Sequence, residues 1–148
     1  MKNILFVCTG NTCRSCMAEA IFNDLCDIED LRAHSAGMSV VYNGKTSKNS
    51  ALIVKESIGK DISERKATQL TRDMIESSEL ILTMTSYMKD VLVNTFPQLK
   101  NKIYTLNEYV SLEGEIVDPF GADIESYRQT YRQLRSSILL LLDKLRKI

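Results

Sequence analysis

Short apolar runs alternate with longer segments of mixed polarity along most of the chain. The apolar runs do not alternate strictly with polar residues and are therefore typical of strands that are buried on both faces; they occupy residues 3–7, 31–35, 80–84 and 103–106. The intervening segments have helical length and occupy residues 15–26, 47–58, 72–77 and 86–95. Because parallel strands need long crossover connections, this order predicts an α/β fold in which a parallel sheet carries helices on both faces.

The last part of the chain has the pattern of one long amphipathic helix. Its apolar residues recur at spacings of three and four, and they are Ile124, Tyr127, Tyr131, Leu134, Ile138, Leu141 and Leu145. Such a spacing gives a single apolar face, which packing against a sheet explains without any function. Asp123 precedes the first of these residues, and we predict that it is the N-cap of the helix.

Length and charge restrict the classes of protein to which the chain can belong. Its 148 residues fit one domain, which we expect to span residues 1–148 without an internal linker. Nineteen Lys and Arg balance nineteen Asp and Glu, so the basic excess of most nucleic-acid-binding proteins is missing. The N-terminal apolar run is too short for an export signal, and the later run at residues 138–142 is far below the roughly 20 residues that cross a bilayer. We expect a cytoplasmic protein, most simply a monomer, that binds neither nucleic acid nor membrane.

All four cysteines lie in the first 26 residues, at positions Cys8, Cys13, Cys16 and Cys26. A disulfide framework distributes its bridges along the chain, so this cluster indicates chemistry instead. Zinc is disfavoured because the cysteines lack paired ligand spacing and the single histidine, His34, falls in a predicted strand. We predict a site without a metal or another cofactor.

The first predicted strand is joined to the first predicted helix by the sequence CTGNTCRS. Backbone N–H groups of a tight loop and of a helix N-terminus converge on an oxyanion, and Gly10 and Asn11 tolerate the positive φ that such a loop requires. Arg14 can clamp two phosphate oxygens. The same positive field favours the thiolate of Cys8, which can attack a bound phosphoryl group. Ser15 can donate its hydroxyl to that sulfur.

A cysteine after an apolar strand is most often a small buried hydrophobic residue. The functional interpretation is preferred here because Cys8, five intervening residues, Arg14 and Ser15 occur together between a strand and a helix. We predict that Cys8 is the nucleophile and Arg14 the phosphate clamp. The residues predicted to surround the bound phosphate are Thr9, Gly10, Asn11, Thr12, Cys13 and Ser15.

Phosphoryl transfer from a poor leaving group also needs a proton donor, and the cysteine loop does not contain one. Asp118 is the candidate, because Pro119 restricts it to an extended backbone and holds its carboxyl on a stiff loop before the last helix. An isolated Asp-Pro pair is more often a simple turn. Beside a cysteine and arginine loop, Asp118 becomes the preferred general acid.

These features together resemble the low-molecular-weight protein tyrosine phosphatase family. The resemblance rests on the cysteine loop at the N-terminus, on Ser35-Ala36-Gly37 after the second strand and on Asp118-Pro119 before the last helix, and it covers essentially the whole chain. It implies a three-layer sandwich around a four-stranded parallel sheet, a cysteinyl-phosphate intermediate and no metal. It also implies that Asp118 later activates water, and that Asn11 holds the loop through hydrogen bonds with Ser35.

Thr12 and Phe120 bear on the substrate. In the branch of the family that resembles protein arginine phosphatases, the loop carries Thr where the tyrosine branch has a larger aliphatic residue, and the acid loop reads Asp-Pro-Phe-Gly, as it does here. A smaller, polar wall can accept a planar guanidinium whose charge Asp118 meets, and Phe120 can stack on it. We therefore favour phosphoarginine in proteins as the substrate, with phosphotyrosine as the alternative.

Two residues depart from the family pattern. Cys16 stands where the family commonly has Pro, which preorganises the start of a helix, and Arg65 stands where a His is often found, which puts the supporting hydrogen bonds of the loop in doubt. Cys13 either packs or forms a reversible disulfide with Cys8. We expect Cys16 and Cys26 to be structural.

Three other classes of protein share parts of this pattern. An arsenate reductase of similar fold needs downstream cysteines, and none follows Cys26. A phosphocarrier domain of the sugar phosphotransferase type needs neither Arg14 nor an acid such as Asp118, because it does not hydrolyse its phosphoryl group. A noncatalytic phosphate-binding or redox-sensing module would protect Cys8 from alkylation in the presence of anions but show no turnover.

Overall fold

The computed structural model describes residues 2–148, and Met1, the first residue of the expected domain, lies outside the described residues. Four strands form one sheet in the order β2-β1-β3-β4, and every neighbouring pair is parallel. The strands are β1 (Lys2–Cys8), β2 (Leu31–Gly37), β3 (Leu80–Thr83) and β4 (Ile103–Thr105). The predicted parallel sheet is therefore confirmed, and each strand overlaps the apolar run that predicted it.

Within residues 2–148, six α-helices and one 3₁₀ helix connect and follow the strands. They are α1 (Arg14–Leu25), α2 (Lys48–Ile58), α3 (Arg72–Ser77), α4 (Ser86–Thr95), α5 (Leu106–Tyr109), α6 (Ile124–Arg146) and the 3₁₀ helix Pro97–Lys102. The assignment of Leu106 to a strand is wrong, because a capping box begins α5 at this point. Thr105 Oγ1 accepts a hydrogen bond from the Glu108 N–H at 3.0 Å, and the Glu108 carboxylate accepts one from the Thr105 N–H at 3.1 Å.

Side-chain caps fix the starts of the other helices. The hydroxyls of Ser47, Thr71 and Thr85 accept the backbone N–H three residues further along. Asp123 does the same for Ser126 at 3.0 Å, which confirms the predicted N-cap of α6. Caps of this kind each stabilise a helix by about 1 kcal/mol.

The core consists of two apolar layers, one on each face of the sheet. Because side chains alternate along a strand, Ile4 and Phe6 of β1 pack with α1, α2 and α6, whereas Leu5 and Val7 pack with α3 and α4 on the opposite face. This arrangement confirms the predicted three-layer α/β sandwich. The sheet ends with Cys8 level with Gly37 of β2, so the carboxyl edge carries the cysteine loop.

Across residues 2–148, no helix combines the length and apolar character that a membrane span requires. The long helix α6 is amphipathic instead, as its sequence spacing predicts. Its buried residues include Tyr127, Tyr131, Leu134 and Ile138, while Arg132 on the same helix is exposed.

Candidate active site

The Cys8 thiol lies at the carboxyl end of β1 in the loop that leads to α1. It is buried, and two groups contact its sulfur: the Asn11 N–H donates to Sγ at 3.3 Å, and Ser15 Oγ lies 2.8 Å away. When Cys8 is ionised, Ser15 is the donor in this second contact, because a thiolate carries no proton. Both contacts then stabilise the charged form of a nucleophile.

The N-terminus of α1 faces the same loop and has no side-chain cap. Cys13 occupies the N-cap position without a capping hydrogen bond, and the first turn contains no acidic residue. Among the α-helices of residues 2–148, the other five begin with a side-chain cap. The free amides and the helix dipole of α1 can therefore act on an anion bound beside Cys8.

Arg14 connects the cysteine loop with the loop that carries Asp118. Its side chain is only 5% exposed; Nη1 donates to the Ile116 carbonyl at 3.1 Å, and Nη2 lies 3.5 Å from Asp118 Oδ2. The Asp118 side chain is half-exposed, and its Oδ1 accepts the Phe120 N–H at 3.0 Å. A buried guanidinium thus lies beside a carboxyl that remains accessible to solvent and substrate.

These groups line one pocket of about 260 Å³. Its lining residues are Cys8, Thr9, Gly10, Thr12, Cys13, Arg14, Ser39, Val41, Asp118 and Phe120. The structure therefore brings together the three predicted catalytic residues and most of the predicted binding residues, whereas Asn11 and Ser15 lie fully buried and outside this lining. Sequence reasoning missed Ser39 and Val41. Ser39 could have been found from its position just after the second predicted strand, at the same edge of the sheet as Cys8. In the structure, its N–H donates to the Thr9 carbonyl at 2.9 Å.

Asn11 holds the loop in shape from the inside. It is fully buried with φ of 55°, and its amide nitrogen donates to Ser15 Oγ at 2.7 Å and to Ser35 Oγ at 3.0 Å. Its amide oxygen accepts from Arg65 Nη1 and from the Thr68 N–H, both at 2.9 Å. The contact with Ser35 is the one that the family resemblance implies.

Arg65 stands where the family often has a His, and it nevertheless donates hydrogen bonds that support the cysteine loop. Besides Asn11, its guanidinium donates to Ser35 Oγ at 2.7 Å and pairs with Glu19 at 3.2 Å. Glu19 in turn accepts the Ser35 hydroxyl at 2.8 Å. The side chains of Arg65 and Glu19 are each about one-fifth exposed. Sequence reasoning missed Glu19, since nothing in its local sequence links it to a residue 46 positions away.

The other cysteines have separate environments, and all four are free thiols. Cys13 Sγ lies 3.5 Å from Ser47 Oγ and 3.6 Å from the Tyr127 hydroxyl. Burial, followed by the contact with Cys13, raises the pKa of Tyr127 to about 12. Burial and then the nearby Cys8 raise the pKa of the Cys16 thiol well above its ordinary value, and this thiol donates to the Cys13 carbonyl at 3.1 Å. Cys16 is thus a protonated packing residue.

Within residues 2–148, no three His, Cys, Asp or Glu side chains are grouped so that they could hold a metal ion. The charged groups of the pocket are the Arg14 guanidinium and the Asp118 carboxyl, next to the Cys8 thiol. This set can bind an oxyanion, attack it with sulfur and exchange a proton with a leaving group.

Comparison with known proteins gives the same family along nearly the whole chain. The sequence model described as "Low molecular weight phosphotyrosine protein phosphatase" matches residues 3–148. A protein-arginine-phosphatase of Bacillus subtilis (strain 168) is 38% identical over 150 residues, which cover 98% of this chain and 97% of that protein.

Two solved structures have closely similar folds. The low molecular weight protein tyrosine phosphatase from T. tengcongensis has a TM-score of 0.91 and 38% identity, covering 97% of this chain and 99% of that one. A cysteine-to-serine mutant of the YwlE arginine phosphatase, with a phosphorylated active site serine, has a TM-score of 0.90 and 35% identity, covering 98% and 96% of the two chains. The chain belongs to the low molecular weight phosphotyrosine protein phosphatase family.

Proposed function

We propose that this phosphatase removes phosphate from phosphoarginine in proteins through a cysteinyl-phosphate intermediate. The observation that carries the proposal is the single pocket in which the Cys8 thiol, the Arg14 guanidinium and the Asp118 carboxyl meet. A phosphoryl group above Cys8 has donors from the loop amides and from Arg14 around its oxygens, so the charge of the transferring group is stabilised in a preorganised site.

In the first step, the Cys8 thiolate attacks phosphorus in line with the leaving group. A sulfur–phosphorus bond forms while the phosphorus–nitrogen bond of phosphoarginine breaks, and its electron pair remains on the leaving nitrogen. Asp118 donates a proton to that nitrogen, so that a neutral or cationic guanidine group departs. Arg14 and the α1 amides hold the three equatorial oxygens throughout.

In the second step, water hydrolyses the phosphorylated cysteine. Asp118, now ionised, accepts a proton from the water molecule while the oxygen of that water attacks phosphorus. The sulfur–phosphorus bond breaks, which returns the thiolate and releases inorganic phosphate. Ser15, 2.8 Å from Cys8 Sγ, donates to the departing sulfur. The serine phosphorylated in the YwlE mutant supports such an intermediate, since there a serine stands in place of a cysteine.

Phosphoarginine is favoured by the wall of the pocket. Thr12 lines it with a small, polar side chain, and Phe120 stands at its mouth with 77% of its surface exposed, free to stack on a planar guanidinium. Asp118 places a carboxyl oxygen where an N–H of the arriving guanidinium group can donate to it. The likeness to an arginine phosphatase of B. subtilis across 98% of the chain supports the same substrate class.

Phosphotyrosine is the second candidate, because the T. tengcongensis tyrosine phosphatase and the B. subtilis arginine phosphatase are each 38% identical to this chain. Val41 gives this candidate a specific support: it lines the pocket with an apolar side chain that is 76% exposed and can pack on a phenyl ring. The same Cys8 chemistry serves both substrates.

The deciding experiment measures phosphate release from a phosphoarginine peptide and a phosphotyrosine peptide of the same sequence. We expect a higher kcat/KM with phosphoarginine, and a preference for phosphotyrosine would overturn the substrate assignment. Cys8→Ala should abolish release, whereas Cys26→Ala is the matched control that keeps it. Asp118→Ala should lower kcat by about 10²- to 10⁴-fold with binding largely retained. A chain that binds phosphate without turnover would be a noncatalytic module.

We place this activity in the cytoplasm, on phosphorylated proteins. The catalytic cycle needs Cys8 as a free thiolate, and the reducing environment of the cytosol keeps thiols in that form. Fractionation of cells that express the tagged chain tests this location, and recovery with exported proteins would contradict it.

A further inference from the structure

Gln133 of α6 holds the backbone that immediately precedes Asp118. Its Oε1 accepts the Val117 N–H at 3.2 Å, and its Nε2 donates to the Glu115 carbonyl at 2.6 Å. Because one partner is a donor and the other an acceptor, the orientation of the side-chain amide is fixed by its surroundings. A single side chain thus binds both sides of Ile116.

Other residues also bind the backbone groups of residues 115–117. The Ile116 N–H donates to the Met84 carbonyl at 3.1 Å, and the Ile116 carbonyl accepts from Arg14 at 3.1 Å. Thr130 Oγ1 donates to the Val117 carbonyl at 3.2 Å. Gln133 therefore binds the two peptide groups that flank Ile116, and the second of them also carries the carbonyl that accepts from Arg14.

Asp118 has little to hold it except this backbone. Its carboxyl is half-exposed, accepts the Phe120 N–H from its own turn, and lies 3.5 Å from Arg14, which is a long contact. The segment between α5 and α6 contains no helix or strand of its own. The position of the carboxyl therefore depends on the backbone on either side of it, which is that of residues 115–117 before it and of Pro119 after it.

We propose that Gln133 is a positioning residue for the general acid, acting through the backbone that carries Asp118; this inference rests on the proposed function. Proton transfer to a leaving group requires the acid within hydrogen-bonding distance, and a displacement of about 1 Å can lower a rate by about 10²-fold. Loss of Gln133 leaves each of these peptide groups with one hydrogen bond, to Met84 or from Arg14, and lets the acid loop move. The Cys8 nucleophile remains in place, since Gln133 does not contact it and is linked to the cysteine loop only through the Ile116 carbonyl that accepts from Arg14.

The test compares two aryl phosphates that differ in their need for an acid. Phenyl phosphate releases a poor leaving group that must be protonated, whereas 2,4-dinitrophenyl phosphate releases an anion that is stable without a proton. We use kcat/KM, which reports the step in which Cys8 attacks and the aryl group departs. Gln133→Leu keeps the volume and removes both hydrogen bonds. Gln129→Leu is the matched control, since Gln129 is exposed one turn earlier on the same helix.

We expect Gln133→Leu to lower kcat/KM by about 10-fold with phenyl phosphate and by less than about 2-fold with the dinitrophenyl ester. Gln129→Leu should change neither value. Equal losses with both esters, or no loss with either, would overturn the role of Gln133. If the unaltered chain releases phosphate from neither ester and also from no phosphoarginine peptide, the proposed function itself fails, so the two failures are distinguishable.

Gln133→Glu provides a second variant in case the leucine variant does not fold. Its carboxylate still accepts the Val117 N–H, but its second oxygen now faces the Glu115 carbonyl, which it repels. We expect a loss with phenyl phosphate and again almost none with the dinitrophenyl ester. A loss that is the same for both esters in this variant would contradict the inference.

Discussion

Replacement of Arg65 by methionine tests whether this residue supports the cysteine loop. Met retains most of the apolar stem of arginine but none of its donors. The substitution removes the hydrogen bonds to Asn11 at 2.9 Å and to Ser35 at 2.7 Å, and it leaves Glu19 without its partner at 3.2 Å. We expect Arg65→Met to destabilise the protein and to loosen the position of Asn11.

The size of the effect follows from these contacts. Hydrogen bonds that involve a charged group contribute about 1.5–3 kcal/mol each, and the lower value suits a guanidinium that is about one-fifth exposed, as that of Arg65 is. Two such bonds give about 3 kcal/mol. The unpaired Glu19 adds no more than about 1 kcal/mol, because solvent reaches it. A loss of about 3–4 kcal/mol is a large part of the 5–15 kcal/mol that is typical of a domain.

Urea denaturation of the parent and variant chains measures this loss directly. Arg128→Met is the matched control, since Arg128 also forms ion pairs, but with two carboxylates, Glu56 and Glu125, that are each more than half exposed. Adding Glu19→Gln to Arg65→Met should restore part of the stability, because the unpaired charge disappears. If Arg65→Met is no more destabilising than Arg128→Met, the reasoning that gives Arg65 a supporting role is refuted.

Two further predictions concern Thr12 and Tyr127. Thr12→Val removes a hydroxyl at constant shape, and we expect it to lower kcat/KM by about 5- to 10-fold for a phosphoarginine peptide but not for a phosphotyrosine peptide; equal effects would exclude Thr12 from substrate selection. The pKa of Tyr127 is raised from 10.0 to about 12 in the folded chain, so the unfolded chain ionises first and stability falls as pH rises through that interval. Tyr127→Phe should lack its part of this loss, which is on the order of 1–3 kcal/mol, whereas Tyr109 and Tyr131, whose pKa values are also raised by burial, keep theirs. Urea denaturation below and within the interval measures the difference, and parallel profiles for the two chains would contradict it.

The elements of this fold could be predicted from local sequence because local rules determine them. Buried parallel strands are continuous apolar runs, and helix starts carry recognisable caps such as Asp123. The error at Leu106 has a local cause as well: its apolar side chain continues the run of β4, while the capping box of Thr105 and Glu108 begins a helix. The hydrogen bonds of the Thr105 hydroxyl and the Glu108 carboxylate, and not hydrophobicity, therefore decide where β4 ends and α5 begins.

The residues that support the site could not be predicted in this way. Arg65 reaches Asn11 across 54 positions, and Gln133 reaches Val117 from a helix whose sequence spacing accounts only for its buried face. Polar side chains at partly exposed positions show no periodicity, so a sequence alone does not tell a solvated glutamine such as Gln129 from one that binds a loop. Only the packed arrangement distinguishes them.

Asn11 shows how backbone strain and polar contacts combine at this site. A φ of 55° costs a non-glycine residue about 1–2 kcal/mol, and glycine adopts it without that cost. Glycine, however, has no side-chain amide with which to bind Ser15, Ser35 and Arg65. Hydrogen bonds of this kind contribute about 1 kcal/mol each. The side-chain bonds therefore outweigh the strain. The loop keeps its curl because one residue tolerates the left-handed backbone and also links the Cys8 loop to the next strand.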